Sequence, residues 1–335
     1  MLRALRRALL RLTGLPSREK VLALRDALEH AGAAHAQDLA RRLDRVEHRT
    51  DRVIQKTDHV ERSVRDLEGS LRKGALRKID GNVETLLRQA FVPVELLAPP
   101  QQLVERRFRA LSQHEEDGIS IALLARVGAP TRRFVEIGAG TNGGNSGFLA
   151  RDCGWSGLML EADPARARAL RAQFGPQVTV VDARVTRENV NDLVTRHGFG
   201  GEVDLVSIDI DGNDYWVWEA LDACRPRLVI IEFNAAFGAS SAVTIPYDPM
   251  FDYGGHAVAG GHYYGASLRA LANLGMRKGY RLVLTEPSGV NAFFVRDVLA
   301  GDLPALDPAT ASVPGERADV RQELAAAGLP VVEIA

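Results

Sequence analysis

Two different spacings of apolar residues divide the chain. Between Ala36 and Leu71 the apolar positions alternate four and three apart. Leu39, Val46, Val53, Val60 and Leu67 take one register, and Ala36, Leu43, Thr50, Thr57, Val64 and Leu71 take the other, with charged side chains between them. That period of about 3.5 predicts a left-handed coiled coil. At about 1.5 Å per residue its helix runs about 50 Å, too long to hide its stripe in a small domain, so it should pair with a copy of itself. The two threonines leave dimer or trimer open. Beyond Arg133 the pattern changes to short apolar runs: Phe134–Ile137, Leu158–Leu160, Val178–Val181, Leu205–Ile208, Arg227–Ile231, Tyr280–Leu284 and Asn291–Val295. Most are separated by helical stretches, which predicts a parallel, doubly wound sheet. The last two flank a turn at Pro287-Ser288-Gly289 and read as a hairpin.

The chain therefore divides into a basic amphipathic segment (1–34), a coiled coil (35–77), a helical connector (78–111), an α/β domain (112–300) and a tail (301–335). Pro93, Pro99 and Pro100 are read as breaks in the connector. Ser112 with Glu115 fits a capping box, and His114, Glu115, Glu116 and Asp117 form a candidate lid. Composition adds exclusions. With 46% hydrophobic and 25% charged residues the chain is of soluble globular type. Its net charge of −1 argues against a general nucleic-acid binder. Cys153 and Cys224 give neither a disulfide framework nor a metal spacing and suit a reducing cytosol. No apolar run reaches the roughly 18 residues of a membrane span. Leu2, Leu5, Leu9, Leu10 and Leu12 share a helical face ringed by arginines, so residues 1–13 could rest on an anionic bilayer or pack within an oligomer. The expected location is the cytoplasm, with that contact at the inner face of the membrane.

The chemistry gathers at carboxyl ends of the predicted strands, where open α/β sheets hold ligands. After the first strand come Gly138, Gly140, Gly143 and Gly144, and after the second comes Glu161. A glycine bend lets a ligand approach the main chain, and an acid at the next strand tip suits both hydroxyls of a ribose. Gly138, Gly140 and Gly143 satisfy G-x-G-x-x-G, which admits a dinucleotide. Glu136 changes the balance, because a carboxylate ahead of the bend suits a ligand with a cationic end, such as S-adenosylmethionine. VEIGAG with the following acid resembles motif I of class I S-adenosylmethionine-dependent methyltransferases. With DLVSIDIDGNDYWVWEAL, the stretch from Ser112 to Arg296 is similar to their FkbM-like branch.

The resemblance implies a seven-stranded methyltransferase-type sheet with an antiparallel last strand. It assigns the cofactor to Glu136, Gly138, Gly140, Asn145, Glu161, Asp182, Ala183 and Asp209, with Asp182 facing the adenine. Similarity to sugar O-methyltransferases adds Mg²⁺ as an optional cofactor on Asp209, Glu232 and Asn234, although that group usually carries paired aspartates where this chain has Glu and Asn. Asp211 and His262 are the candidate bases, with His256 behind them. Tyr247, Tyr253, Tyr263 and Tyr264, in an aperiodic loop after Phe237, would wall a sugar ring. The expected function is O-methylation of a sugar or glycan hydroxyl by a homo-oligomer. An NAD-dependent oxidoreductase using the GAGTNG turn and a non-catalytic coiled-coil scaffold are the alternatives.

Overall fold

The computed structural model describes residues 48, 83, 97–256, 261–311, 315, 317 and 319–334. The chain forms two units, 1–80 and 81–335. Apart from the helical His48, the first unit lies outside the described residues, and with it the expected coiled coil and basic N-terminal segment.

The second unit is built on nine strands: β1 (Arg133–Ile137), β2 (Ser156–Glu161), β3 (Val178–Asp182), β4 (Gly201–Ile208), β5 (Cys224–Glu232), β6 (Val243–Thr244), β7 (Tyr280–Thr285), β8 (Asn291–Arg296) and β9 (Val332–Glu333). Seven of them form one sheet in the order β3-β2-β1-β4-β5-β8-β7. Strands β1 to β5 pair in parallel. The last strand of this sheet in sequence, β8, is antiparallel to both β5 and β7. The doubly wound sheet with its antiparallel last strand is thus as expected. A hairpin turn can make only an antiparallel neighbour, and β8 slots between β5 and β7 to do so.

Side-chain alternation along the strands feeds two apolar layers. Val135, Ile137, Val206, Ile208, Val229 and Ile231 face one side. There they meet α5 (Val190–Arg196), α6 (Asp214–Ala220) and α7 (Leu268–Arg277). Phe134, Met159, Leu205, Leu228 and Ile230 face the other. They meet α2 (Glu116–Val127), α3 (Gly147–Asp152) and α4 (Pro164–Gln173). Both faces of the sheet are covered, as a parallel sheet requires.

Pro99 and Pro100 begin a helix, α1 (Pro99–Glu105), instead of breaking one. Proline in the first turn loses no hydrogen bond, and its φ is already helical. The Ser112–Glu115 capping box is also replaced. Helix α2 starts at Glu116, and Glu115 makes no side-chain cap. Ser112 pairs with Asp117: the Ser112 Oγ accepts from the Asp117 N–H at 3.3 Å, and Asp117 Oδ2 accepts from the N–H groups of Ala110, Leu111 and Ser112 at 2.6, 2.7 and 3.0 Å. One carboxylate oxygen gathers three successive donors, which a serine hydroxyl cannot do.

The C-terminal residues pack against the loop after β5. They add α8 (Pro308–Ala311) and α9 (Val320–Ala326), and β9 pairs with β6. Val320 and Leu324 bury against Phe237, Val243, Ile245, Phe251 and Tyr263.

In the first half of β4, Asp204 is fully buried and its Oδ2 accepts from Thr131 N, Thr131 Oγ1 and Arg132 N. Its Oδ1 lies 3.4 Å from Arg227 Nε. Arg132 stands at φ 50°, a conformation costly for a residue with a Cβ and held here by that carboxylate. Replacing Asp204 with alanine should lower the unfolding free energy by about 3 kcal/mol, because donors and a guanidinium lose a buried partner. Urea denaturation of Asp204→Ala tests this, and a loss below about 1 kcal/mol would contradict it.

Candidate active site

A cavity of about 590 Å³ opens at the carboxyl ends of β1, β2, β4 and β5. Gly138, Gly140, Asn145, Glu161, Ala183, Asp209, Asp211 and Glu232 are among its lining residues. Its size is ordinary for a small-molecule site.

The glycine bend is closed by its own chain. Gly138 and Ala139 donate to the Leu160 carbonyl at 2.9 and 3.3 Å, and Gly143 donates to the Ala139 carbonyl at 3.0 Å. Gly140 donates to Glu161 Oε2 at 2.8 Å, and Asn145 donates to Glu136 Oε1 at 3.1 Å. Two glycines here are sterically required. A Cβ on Gly138, at φ +89°, would lie 1.7 Å from the Asp209 carbonyl oxygen. One on Gly144, at φ +57°, would lie 2.0 Å from Glu136 Oε1.

Glu136 therefore sits behind the bend, and its expected contact with a ligand is corrected. It is fully buried and absent from the cavity lining. The alternation of β1 turns it to the same face as Phe134, where Ser146 Oγ donates to its Oε2 at 2.5 Å. Burial pushes its carboxyl up to about 7, against the opposing pull of these hydrogen bonds. Asn145 does line the cavity, and its Nδ2 donates to Ser207 Oγ at 3.1 Å.

Glu161 lines the cavity from the tip of β2. Its oxygens accept from Gly140 N at 2.8 Å and Asp163 N at 2.9 Å. Each oxygen keeps a second lone-pair site, enough for one hydroxyl apiece. Asp182 is placed differently from the expectation. It is exposed at the end of β3 and does not line the cavity, whereas Ala183 and Arg184 just after it do. The strand ends there, so the chain turns inward one residue late.

Asp209, Asp211 and Glu232 each bring an oxygen within 4.8 Å of the others. Asp214 organises their loop, accepting from Ile210 N and Gly212 N at 2.9 Å each. Asp211 stands at φ 55°, an unusual conformation for a residue with a Cβ. Burial pushes Asp214 up to about 6, and it pushes Asp209 and Glu232 well up, helped by the charges of their acidic neighbours. Burial likewise raises Asp211, opposed by Arg166.

Of the expected Mg²⁺ set, Asp209 and Glu232 come together, but Asn234 does not join them. Its Oδ1 accepts from Ala236 N at 3.0 Å, and its Nδ2 donates to the carbonyls of His262 and Tyr264 at 2.9 and 3.0 Å. It fastens the loop and does not line the cavity. His262 is corrected as well. Its carbonyl holds that loop, and it is not among the lining residues. The side chain of His256 lies outside the described residues. Of the four tyrosines only Tyr253 lines the cavity. Tyr263 donates to the Pro330 carbonyl at 3.1 Å, Tyr247 donates to Glu188, and Tyr264 meets Tyr253 edge to face at 5.6 Å. None of the candidate lid residues His114, Glu115, Glu116 and Asp117 lines the cavity, although the neighbouring Gln113 does; Glu116 and Asp117 are buried and hold backbone.

Lining residues that the sequence reading passed over include Asn142, Arg166, Arg184, Phe251 and Asp252. Arg166 had a legible signal, in the first turn of a helix opened by Asp163 just after Glu161. Phe251 had none. It comes from a distant loop and packs on Gly212, where a Cβ would lie 2.3 Å from its ring.

No family model matches the sequence, and no curated protein matches it. Among solved structures, an O-methyltransferase from Bacillus cereus in complex with SAH is 16% identical, over 64% of this chain and 95% of that one, with a TM-score of 0.37. The N-terminal domain of EvdMO1 in the presence of SAH and D-fucose is 14% identical, over 55% and 82%, with a TM-score of 0.34. Spermidine synthase from Thermotoga maritima is 18% identical, over 58% and 60%, with a TM-score of 0.33.

The raised carboxyl of Glu136 carries a stability consequence. Its folded pKa exceeds its unfolded one, so the folded state holds the extra proton and stability falls as pH rises from about 4.5 towards about 7. At 1.36 kcal/mol per unit, its share of that loss is roughly 3 kcal/mol. Glu136→Gln should flatten the decline in urea titrations across this window. Parallel wild-type and mutant profiles would contradict the assignment.

Proposed function

We propose that the chain is an S-adenosylmethionine-dependent O-methyltransferase of the FkbM-like branch, acting on a sugar or glycan hydroxyl. The observation that carries this reading is the wall charge of the cavity. Glu161, Asp163, Asp209, Asp211, Glu232 and Asp252 line it, against only two guanidiniums, Arg166 and Arg184. A cofactor with an ammonium and a sulfonium suits such walls, and a pyrophosphate is repelled by them.

The state of the bend speaks against the oxidoreductase alternative. A dinucleotide's phosphates need free backbone donors at the glycine turn. The N–H groups of Gly138, Ala139, Gly140, Gly143 and Asn145 are already bonded within the protein. A scaffold without chemistry would not need the convergence of Asp209, Asp211 and Glu232.

In this reading Glu161 takes the two ribose hydroxyls, and Gly138 and Gly140 let the cofactor lie against the main chain. The acceptor oxygen attacks the methyl carbon in line as the carbon–sulfur bond breaks. The products are the methyl ether, S-adenosylhomocysteine and a proton. Asp211, raised by burial and reaching the cavity, accepts that proton. Alignment of acceptor and sulfonium supplies much of the acceleration. The reading extends to a homo-oligomer joined through residues 35–77, in the cytoplasm, with residues 1–13 on the membrane's inner face.

Isothermal titration with S-adenosylmethionine, with and without Mg²⁺, tests the cofactor. Glu161→Ala should weaken its binding about 100-fold, the worth of two bonds to a charged acceptor at roughly 1.5 kcal/mol each. Binding of NAD together with none of S-adenosylmethionine would overturn the reading.

A further inference from the structure

The cavity as a whole holds more acidic groups than the proposed cofactor can match. With every lining group ionised, six carboxylates against two guanidiniums leave four negative charges. S-adenosylmethionine brings one net positive charge, and its ribose occupies Glu161 without neutralising it. The imbalance is greatest where Asp209, Asp211 and Glu232 crowd within 4.8 Å of one another.

A second observation points to a ligand there. Glu232 lines the cavity yet is only 7% exposed, and its Oε2 is buried without a hydrogen-bond partner among the described residues. A buried carboxylate oxygen left unbonded is costly and marks the place of an absent partner. Among the described residues no lysine or arginine pairs with Glu232, and Arg166 acts on Asp211. Arg184 Nη1 donates instead to the Phe251 carbonyl at 3.0 Å.

The partner must be positive, and the walls decide its kind. Phe251 lies on the bare Cα of Gly212, inside the acid loop, and lines the cavity together with Tyr253. Tyr264 stands edge-on to Tyr253, and its phenol is pushed up by burial and by Glu232 nearby. Carboxylates with aromatic rings beside them form a setting for an organic ammonium, which gains from both. A hard divalent ion seeks further oxygen ligands and water, and Asn234 is spent on the loop.

We propose that the acceptor carries a protonated amine, as an amino sugar does, seated on Glu232 with Phe251 and Tyr253 beside it. This rests on the methyltransferase reading for the identity of the reaction, while the ammonium site rests on the acids and rings alone. The amine anchors the sugar, and a hydroxyl elsewhere on the ring meets the methyl group.

Isothermal titration of the full chain with glucosamine and with glucose, below the amine's pKa and with and without saturating SAH, tests it. Glucosamine should bind at least about tenfold more tightly than glucose, the worth of one charge-assisted hydrogen bond. N-acetylglucosamine, which has lost the charge, should behave like glucose. Glu232→Gln should bring glucosamine and glucose to parity, and if that variant fails to fold, Glu232→Asp, which keeps the charge but draws it back from the amine, should narrow the difference. Equal binding of the two sugars to the wild type would overturn the proposal. So would Mg²⁺ binding alone at this cluster and strengthening glucose. Failure of SAH to bind would sink the methyltransferase reading, whereas the arm without SAH still decides the ammonium site.

Discussion

The carboxyl of Glu136, buried under the glycine bend, is the interaction on which the site depends. It holds Asn145 through Oε1 and Ser146 through Oε2, and Gly144 lies so close that no other residue fits. Taking such a group out of water is costly, and burial keeps it near neutrality instead of fully charged. In return the bend has one shape. Asn145 is presented to the cavity, and Gly138 is pressed against the Asp209 carbonyl, tying the turn after β1 to the end of β4. This wall of the cavity is thus set before any ligand arrives, which is the condition for binding without reorganisation cost.

The same device recurs at other loops around the sheet. Asp117 gathers the N–H groups of three successive residues, Asp214 takes Ile210 and Gly212, and Glu286 takes Ser288, Val290 and Asn291. A short carboxylate has four acceptor sites and reaches its own neighbouring backbone, so it stitches a loop that has no ladder of its own. These acids look in sequence like the ones that meet a ligand. What separates them is whether their oxygens are already spent. Asp214 is spent. Glu232 keeps a buried oxygen unbonded, and Glu161 keeps capacity on both.

The loop between β5 and α7 is held from three sides. Asn234 grips the carbonyls of His262 and Tyr264, β9 pairs with β6, and Val320 and Leu324 close its apolar underside. This places Phe251 on the acid loop. A residue that lines the cavity is therefore packed against the C-terminal segment.

Local pattern alone determined the strands, their alternation with helices, the bend at Gly138 and the acid at the tip of β2. Each depends on spacing within a few residues, and parallel strands buried on both faces must be continuous apolar runs. Glu161, Gly140, Ala183, Asp209 and Asp211 reach the cavity because strand ends in such a sheet converge whatever the loops do. Where a side chain points, and what has already claimed it, was decided only by tertiary structure. Glu136 turned behind the bend because β1 faces α3 on that side. Asn234 and His262 were drawn into holding a loop that pairs with β9, seventy residues or more away. Hydrogen-bond capacity is finite, and its allocation depends on neighbours distant in sequence.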